Sequence, residues 1–250
     1  MQELRIIPLP LSGDVRPGDS LVDKFLNALT RRRMSLAKGD ILVVKHKIVS
    51  KAEGQLIRLD TIKASARSRA WAIRYKLDAR VTELVLQQSK TIIRRKNGVL
   101  ITETRHGFIC ANSGVDVSNV DGGEHALLLP EDPDRSAANL HRALKKRLRL
   151  SIPVIISDSF GRPWREGLTE VAIGVAGMKA IHDYRKRRDP HGYLLRVTID
   201  AVADELACAA GLLSGKLTRT PFVIIRGFHY QPGHGSSRQL LRPAALDLFR

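Results

Sequence analysis

Cysteine is scarce in this chain: Cys110 and Cys208 are the only two in 250 residues, and neither stands in a Cys-x-x-Cys spacing. That argues against a disulfide framework or a cysteine-built zinc centre and fits a reducing cytoplasm. Aromatic residues amount to 5%, which leaves little surface on which nucleobases could stack. No stretch reaches the roughly 18 uncharged residues that a membrane span needs. The start, Met1 to Pro10, shows no basic segment followed by a long apolar run. Neither export nor membrane insertion is expected, and the expected location is cytoplasmic.

Familiar motifs are missing as well. No Gly-x-Gly-x-x-Gly follows a strand, so a dinucleotide fold has no support. Gly211 with Gly215-Lys216 falls one residue short of a phosphate-binding P-loop, and Leu217 stands where the metal-binding hydroxyl is required. Neither His-Glu-x-x-His nor Gly-x-Ser-x-Gly occurs. A nucleotide, if bound, is held by some less common device.

Acidic residues are outnumbered. The chain carries 42 Lys plus Arg against 25 Asp plus Glu, a formal net charge of +17. The excess is spread along the sequence in short clusters, Arg31-Arg32-Arg33, Arg94-Arg95-Lys96, Lys145-Lys146-Arg147 and Arg185-Lys186-Arg187-Arg188. Solvated faces account for most of these charges, and a nucleic-acid-binding protein is the rival reading. An enzyme with several anionic ligands also suits the excess, because a positive cleft concentrates them. At 43% hydrophobic and 27% charged residues the chain has the composition of a globular protein, and its length permits one large domain or two small ones.

The expected fold class is mixed α/β. Leu4 to Leu11 reads as extended, followed by turns at Ser12-Gly13-Asp14 and Pro17-Gly18 and a helix capped by Asp19 or Ser20, with Leu21, Val22, Phe25, Leu26 and Leu29 on one stripe. Ile41 to Val44 reads as a buried strand, and Ser65 to Gln88 as helical. Thr91 to Ile93 and Val99 to Thr102 flank Asn97-Gly98, a pair that tolerates positive φ and so signals a hairpin. Leu127 to Leu129 reads as a strand, and Pro130 and Pro133 lead into a helix with Leu140, Leu144 and Leu148. Ile152 to Ile156 reads as a strand covered on both faces. A helix runs from Thr198 to Gly215, Phe222 to Ile225 is the last strand, and Gln231 to Gly235 is loop. No repeat or linker interrupts these elements, so residues 1–250 are expected to form a single domain with a peripheral tail at 229–250.

Two acidic segments could carry chemistry. In Gly114-Val115-Asp116-Val117-Ser118-Asn119 a carboxylate lies three residues from a carboxamide, which also describes an Asx-turn. In Ser157-Asp158-Ser159-Phe160-Gly161-Arg162-Pro163-Trp164-Arg165 an acid and a hydroxyl follow a buried strand. Hard oxygens at a strand end suit Mg²⁺ or Mn²⁺, and Arg162 with Arg165 could clamp a phosphate or carboxylate; a helix N-cap with surface arginines is the alternative. Lys47 and Lys51 could neutralise phosphates or simply end a strand. His106, His125 and His191 read as loop histidines more readily than as ligands.

In their order along the chain, these segments resemble the F420-0:L-glutamate ligase family. The blocks that carry the resemblance are Gly39-Asp40, Lys47 to Gly54, Glu103 to Gly107, Gly114-Val115-Asp116, Ser118-Asn119-Val120, Asp158 to Arg165, Ala172-Ile173-Gly174, Ala201 to Leu206, Pro221 and Arg226-Gly227-Phe228. The resemblance implies a GTP-dependent ligase of coenzyme F420 biosynthesis that joins L-glutamate to the terminal carboxylate of coenzyme F420-0 through an acyl phosphate, then adds γ-linked glutamates. A ligase of the same design working on another acidic acceptor remains the alternative. It implies two divalent ions, Mg²⁺ or Mn²⁺, with K⁺ a further candidate. Asp116, Asp158 and Ser159 match metal ligands, and Asp116, Asp158 and Arg162 become the candidate catalytic set. Leu9, Pro10, Leu11, Ser12, His46, Lys51, Asn119 and Ser214, Gly215, Lys216, Leu217, Thr218, Arg219, Thr220 and Pro221 match the nucleotide site. His46 stands where many relatives carry a small hydroxyl residue, and Lys216 where some place an amide that helps bind the second metal. The implied fold is a mixed α/β arrangement in an intertwined homodimer, here without the reductase-like C-terminal domain of some bacterial relatives. Partners are the three substrates and a second copy, with no membrane and no nucleic acid.

Overall fold

A computed structural model of the protein describes residues 3–118 and 123–248. Its centre is a five-stranded mixed sheet. Strand β1 (Arg5–Leu9) leads to helix α1 (Leu21–Arg31), whose N-cap Ser20 accepts the Asp23 amide at 3.2 Å. Strand β2 (Ile41–Lys45) passes directly into the two-turn helix α2 (His46–Ala52). The sequence there reads as a strand end, and the helix is a finding of the structure. Next come β3 (Leu56–Arg58), helices α3 (Ala66–Tyr75) and α4 (Ala79–Gln88), and strands β4 (Ser89–Lys96), β5 (Val99–Thr104), β6 (Ile109–Ala111) and β7 (His125–Leu127). The chain continues through α5 (Pro133–Leu148), β8 (Val154–Arg162), β9 (Arg165–Ala176), β10 (His182–Asp183), β11 (Ile199–Asp200), α6 (Val202–Ser214) and β12 (Phe222–Arg226).

In the main sheet the order is β1-β12-β2-β8-β9, and only β2 and β8 run parallel. Alternation along these strands divides the core in two. Leu42, Val44, Val154 and Ile156 face α1 and α5, while Ile41, Val43, Ile155 and Val223 face α6. Both layers are apolar because β2, β12 and the first half of β8 are covered on both sides, which is why those runs read as continuous rather than alternating. Arg226 and the fully buried Asp40 tie two of the strands together through paired hydrogen bonds of 2.7 Å each.

A smaller lobe is built from the β4-β5-β6 and β3-β7 sheets with α3 and α4. The single helix expected over Ser65 to Gln88 is two: Lys76 takes a left-handed conformation (φ 53°) and ends α3, and Asp78 caps α4 by accepting the Arg80 amide. The Asn97-Gly98 turn has positive φ at both residues, 49° and 81°, the geometry that suits the twist of a two-residue hairpin. β8 also corrects an expectation. It does not stop at Ile156 but runs on to Arg162 and turns at Pro163-Trp164 into β9, so Asp158 and Ser159 lie within a strand and cap no helix. Among the described residues, no helix is long and apolar enough to cross a membrane.

Candidate active site

β2 ends one residue before α2 begins, and this junction organises the site. β8 pairs with β2 only as far as Lys45 opposite Ser157. Beyond that point β8 keeps β9 on one side and is open on the other. The rule that ligands gather at the carboxyl ends of parallel strands therefore holds for the β2/β8 pair, although β8 itself continues. The chain turns from extended to helical across Lys45, His46 and Lys47, and their side chains diverge to three acids. Lys45 Nζ lies 2.5 Å from Glu170 Oε1, His46 Nε2 3.1 Å from Asp158 Oδ1, and Lys47 Nζ 2.6 Å from Asp116 Oδ2. Three consecutive residues thus draw together acids from β8, from β9 and from the loop before β7.

The three carboxyls are kept ionised. Burial acts to raise the Asp158 pKa, but His46 and the Ser159 amide outweigh it and hold the group below the usual carboxylate range. The field of Asp116 opposes them, so Asp158 senses the charge of Asp116. Asp116 shows the same contest: burial raises, while Lys47 and Ser118 lower more. For Glu170, burial is outweighed by Lys45, Ser159 and Ser157. Asp116 also makes the Asx-turn, since its Oδ1 accepts the Ser118 amide at 2.6 Å while Oδ2 faces Lys47. The turn and the chemical reading use different oxygens of one carboxylate. Asp158 Oδ1 takes both His46 and the Ser159 amide, and among the described residues Oδ2 accepts no hydrogen bond.

Asp158 and Ser159 are neighbours on a strand and so point to opposite faces. Asp158 meets His46 on the α1 side. Ser159 meets Glu170 (2.6 Å) and Lys216 (2.9 Å) on the α6 side. The two adjacent oxygen donors therefore face different sides of the strand, Asp158 with His46 and Ser159 with Glu170 and Lys216.

Beside this junction lies a hollow of about 410 Å³. Of the residues matched to a nucleotide site, Leu11, Lys51, Ser214, Gly215, Lys216, Leu217, Arg219, Thr220 and Pro221 line it, together with Lys45 and Lys47. Among the described residues its lining holds five cationic side chains, of which Lys45 and Lys47 face Glu170 and Asp116, and one acid, Asp14, which pairs with Arg219 at 2.7 Å, so the surface favours anions. Other expected members sit elsewhere. The Leu9 side chain is fully buried in the core, Pro10 and Ser12 are exposed beside the hollow's rim sequence, and buried His46 is engaged by Asp158. Thr218 donates to the Ser214 carbonyl, and Asn119 lies outside the described residues. Arg162 is held in the β8–β9 turn, donating to the Glu166 carbonyl at 3.0 Å, with no ion pair to either aspartate. A second hollow of about 320 Å³ shares Lys45, Gly215 and Lys216 with the first and adds Leu168, Glu170, Cys208 and Leu212. His106 binds the Pro130 and Glu131 carbonyls, the loop role expected of it.

Two members were not anticipated, Lys45 and Glu170. Lys45 carried a usable signal, a charge closing the apolar run Ile41 to Val44. Glu170 did as well, as a lone acid ahead of the apolar run Val171 to Ala176, but its partners became visible only once β9 was folded against β8.

The fold and the site define an enzyme-like centre, in which a hollow lined by cationic side chains adjoins largely buried, ionised carboxylates at the end of a parallel strand pair. The sequence profile described as F420-0:Gamma-glutamyl ligase matches residues 12–227, and the chain belongs to that family. Among similar proteins are three named coenzyme F420:L-glutamate ligase. That of Methanopyrus kandleri is 43% identical over 252 residues, covering 99% of this chain and 98% of its own. That of Methanothermobacter thermautotrophicus is 45% identical over 247 residues, covering 97% and 96%. That of Methanocaldococcus jannaschii is 41% identical over 213 residues, covering 85% of each.

Proposed function

We propose that this chain is a coenzyme F420-0:L-glutamate ligase of coenzyme F420 biosynthesis that uses GTP. The observation that carries the reading is the Lys45-His46-Lys47 junction, which gathers Glu170, Asp158 and Asp116 beside a cationic hollow in a member of this family. A carboxylate oxygen of the acceptor attacks the γ-phosphorus of GTP, GDP leaves, and an acyl phosphate results. The amino group of glutamate then attacks the acyl carbon, phosphate departs with the carbonyl's former partner oxygen, and the amine loses its proton. Later rounds use the γ-carboxyl of the glutamate just added.

The residues support this division of labour. Lys51, Lys216 and Arg219 line the hollow where a triphosphate would lie and offset its charge. Leu11 and Pro221 give that hollow apolar walls. Among the described residues no cluster of three or more His, Cys, Asp or Glu side chains could hold a metal ion by itself. Two ionised carboxylates and a hydroxyl are nevertheless hard oxygen donors of the kind that Mg²⁺ or Mn²⁺ would take. When bound there, two Mg²⁺ or Mn²⁺ ions would supply charge stabilisation to the transferring phosphoryl group. Asp116, Asp158 and Ser159 would hold them. A homodimer completes the proposal, with the exposed ribbon formed by β10 and β11 as the part of the chain in need of cover.

The test combines GTP, Mn²⁺, F420-0 and glutamate and follows GDP release together with the mass of the acceptor. One added glutamyl residue per GDP is expected, and omission of any one component should stop both. Asp158→Ala should lower turnover by roughly 10²-fold or more, the scale of losing a charge-stabilising group, with the unfolding transition retained. No product with all components present would sink the proposal, and glutamylation of a different acidic acceptor alone would redirect it.

A further inference from the structure

Glu170 is the one acid of the junction that no resemblance or motif assigned, and it is the best satisfied. It lies directly opposite Ser159 across the β8–β9 pair, with the side chain about nine-tenths buried. Oε1 accepts from Ser159 Oγ at 2.6 Å and meets Lys45 Nζ at 2.5 Å, and Oε2 accepts from Ser157 Oγ at 2.9 Å. α6 passes close enough that only glycine fits over it: a Cβ at Gly211 would stand 2.5 Å from Glu170 Cγ.

A serine hydroxyl has one hydrogen and two acceptor lone pairs. At Ser159 the hydrogen is committed to Glu170, and Lys216 Nζ donates into one lone pair at 2.9 Å. The rotor is fixed, with its acceptor side turned away from Glu170. Without that acceptor the hydrogen could swing toward the cationic side, where it would oppose any cation the oxygen is meant to bind. Lys45 is fixed by the same oxygen that holds Ser159, and it lines both hollows.

We propose that Glu170 is a positioning residue: it holds the Ser159 hydroxyl with its lone pairs toward a divalent cation and anchors Lys45 between the two hollows. This rests on the reading of the site as a metal- and GTP-dependent centre. Glu170 touches no reacting atom; it acts through Ser159 and Lys45. A purely structural buried ion pair would affect folding and leave cation affinity alone, whereas a positioning role must appear in cation affinity and must run through Ser159.

The experiment measures Mn²⁺ binding by the electron-paramagnetic-resonance signal of free Mn²⁺, with a non-hydrolysable GTP analogue present, alongside thermal unfolding. Glu170→Gln keeps the volume and removes the charge. It should weaken the affected Mn²⁺ site by roughly 10–100-fold, the range for partners that orient a ligand. Ser159→Ala should weaken the same site, and the double variant should be no weaker than the worse single one, because both changes remove one device. If Glu170→Gln does not fold, Gly211→Ala approaches the same carboxylate from α6 without altering charge and should give the same loss. Wild-type Mn²⁺ affinity in a folded Glu170→Gln or Gly211→Ala protein, or losses that add fully in the double variant, would overturn the inference alone. A wild-type protein that binds no Mn²⁺ with the nucleotide would overturn the proposed function along with it.

Discussion

The Asp204 carboxyl is pushed in the opposite direction to the acids of the site, its pKa raised where theirs are lowered. It sits in the first turn of α6 and accepts the Ala172 amide at 2.8 Å, with no cation among the groups that act on it. Burial raises its pKa, and the single backbone hydrogen bond offsets this only in part. A carboxyl whose folded pKa lies above its unfolded value favours the folded state below the unfolded pKa, and that contribution disappears as pH rises through the folded pKa. Asp204→Asn can keep the bond from Ala172 and cannot ionise. Its unfolding midpoint should therefore exceed that of the wild type at pH 7 to 8, and the gap should close toward pH 4; a constant gap would show that ionisation is not the cause. Arg226 presents the complementary case. Removing it leaves the fully buried Asp40 carboxylate bonded to the Ala37 amide but without its cation, and Arg226→Ala should cost about 3–5 kcal/mol in denaturant unfolding, whereas a loss under about 1 kcal/mol would mark the pair as an ordinary surface bridge.

Strands built on continuous apolar runs are legible from sequence because burial on both faces leaves no alternation to misread: β2 and β12 contain the runs Ile41 to Val44 and Phe222 to Ile225 and add one basic residue each, while β8 begins at Val154, two residues into the run from Ile152. The Asn97-Gly98 hairpin was legible for a different reason, since its backbone demands are met by those two residues almost alone. What escaped was decided by tertiary contact. α2 has seven residues, no side-chain N-cap and no long stripe, so nothing local distinguishes it from a strand end. β9 begins in charged, exposed residues and becomes apolar only past Glu170, because its first half forms a ribbon with β8 that leaves the sheet. The acids Asp116 and Asp158 could be found as residue types, but their shared anchorage on His46 and Lys47 needed the strand-to-helix turn. That turn makes a prediction about the element. Lys45 is the N-cap of α2 and also the partner of Glu170, so Lys45→Met should leave α2 in place while exposing an uncompensated buried acid. Substrate turnover should fall by more than tenfold with an unchanged far-ultraviolet circular dichroism spectrum, and a loss of helical signal in step with activity would mean that Lys45 serves the fold only.

The β10/β11 ribbon is the part of the protein that its own chain does not explain. Its strands are two residues long, pairing His182 with Asp200 and Asp183 with Ile199, and the two arms are continued by backbone hydrogen bonds from Tyr184 to Thr198 and between Lys186, Arg187 and Leu195, and by a bridge between Arg188 and Leu194. An isolated ribbon of this kind is marginal in water. Yet it holds Tyr193 67% and Val197 85% exposed, beside the basic run Arg185 to Arg188. At a net charge of +17, copies of this chain repel one another at long range, so association must come from apolar contact at short range and should strengthen with salt that screens the repulsion. Sedimentation equilibrium should give twice the 27.8 kDa chain mass at micromolar concentration and 0.3 M salt. Tyr193→Asp with Val197→Asp puts charge on that apolar surface and should shift the mass to a single chain while the five-stranded core keeps its unfolding transition. A single-chain mass for the wild type across that range would leave the ribbon's apolar side chains to be covered by something other than a second copy.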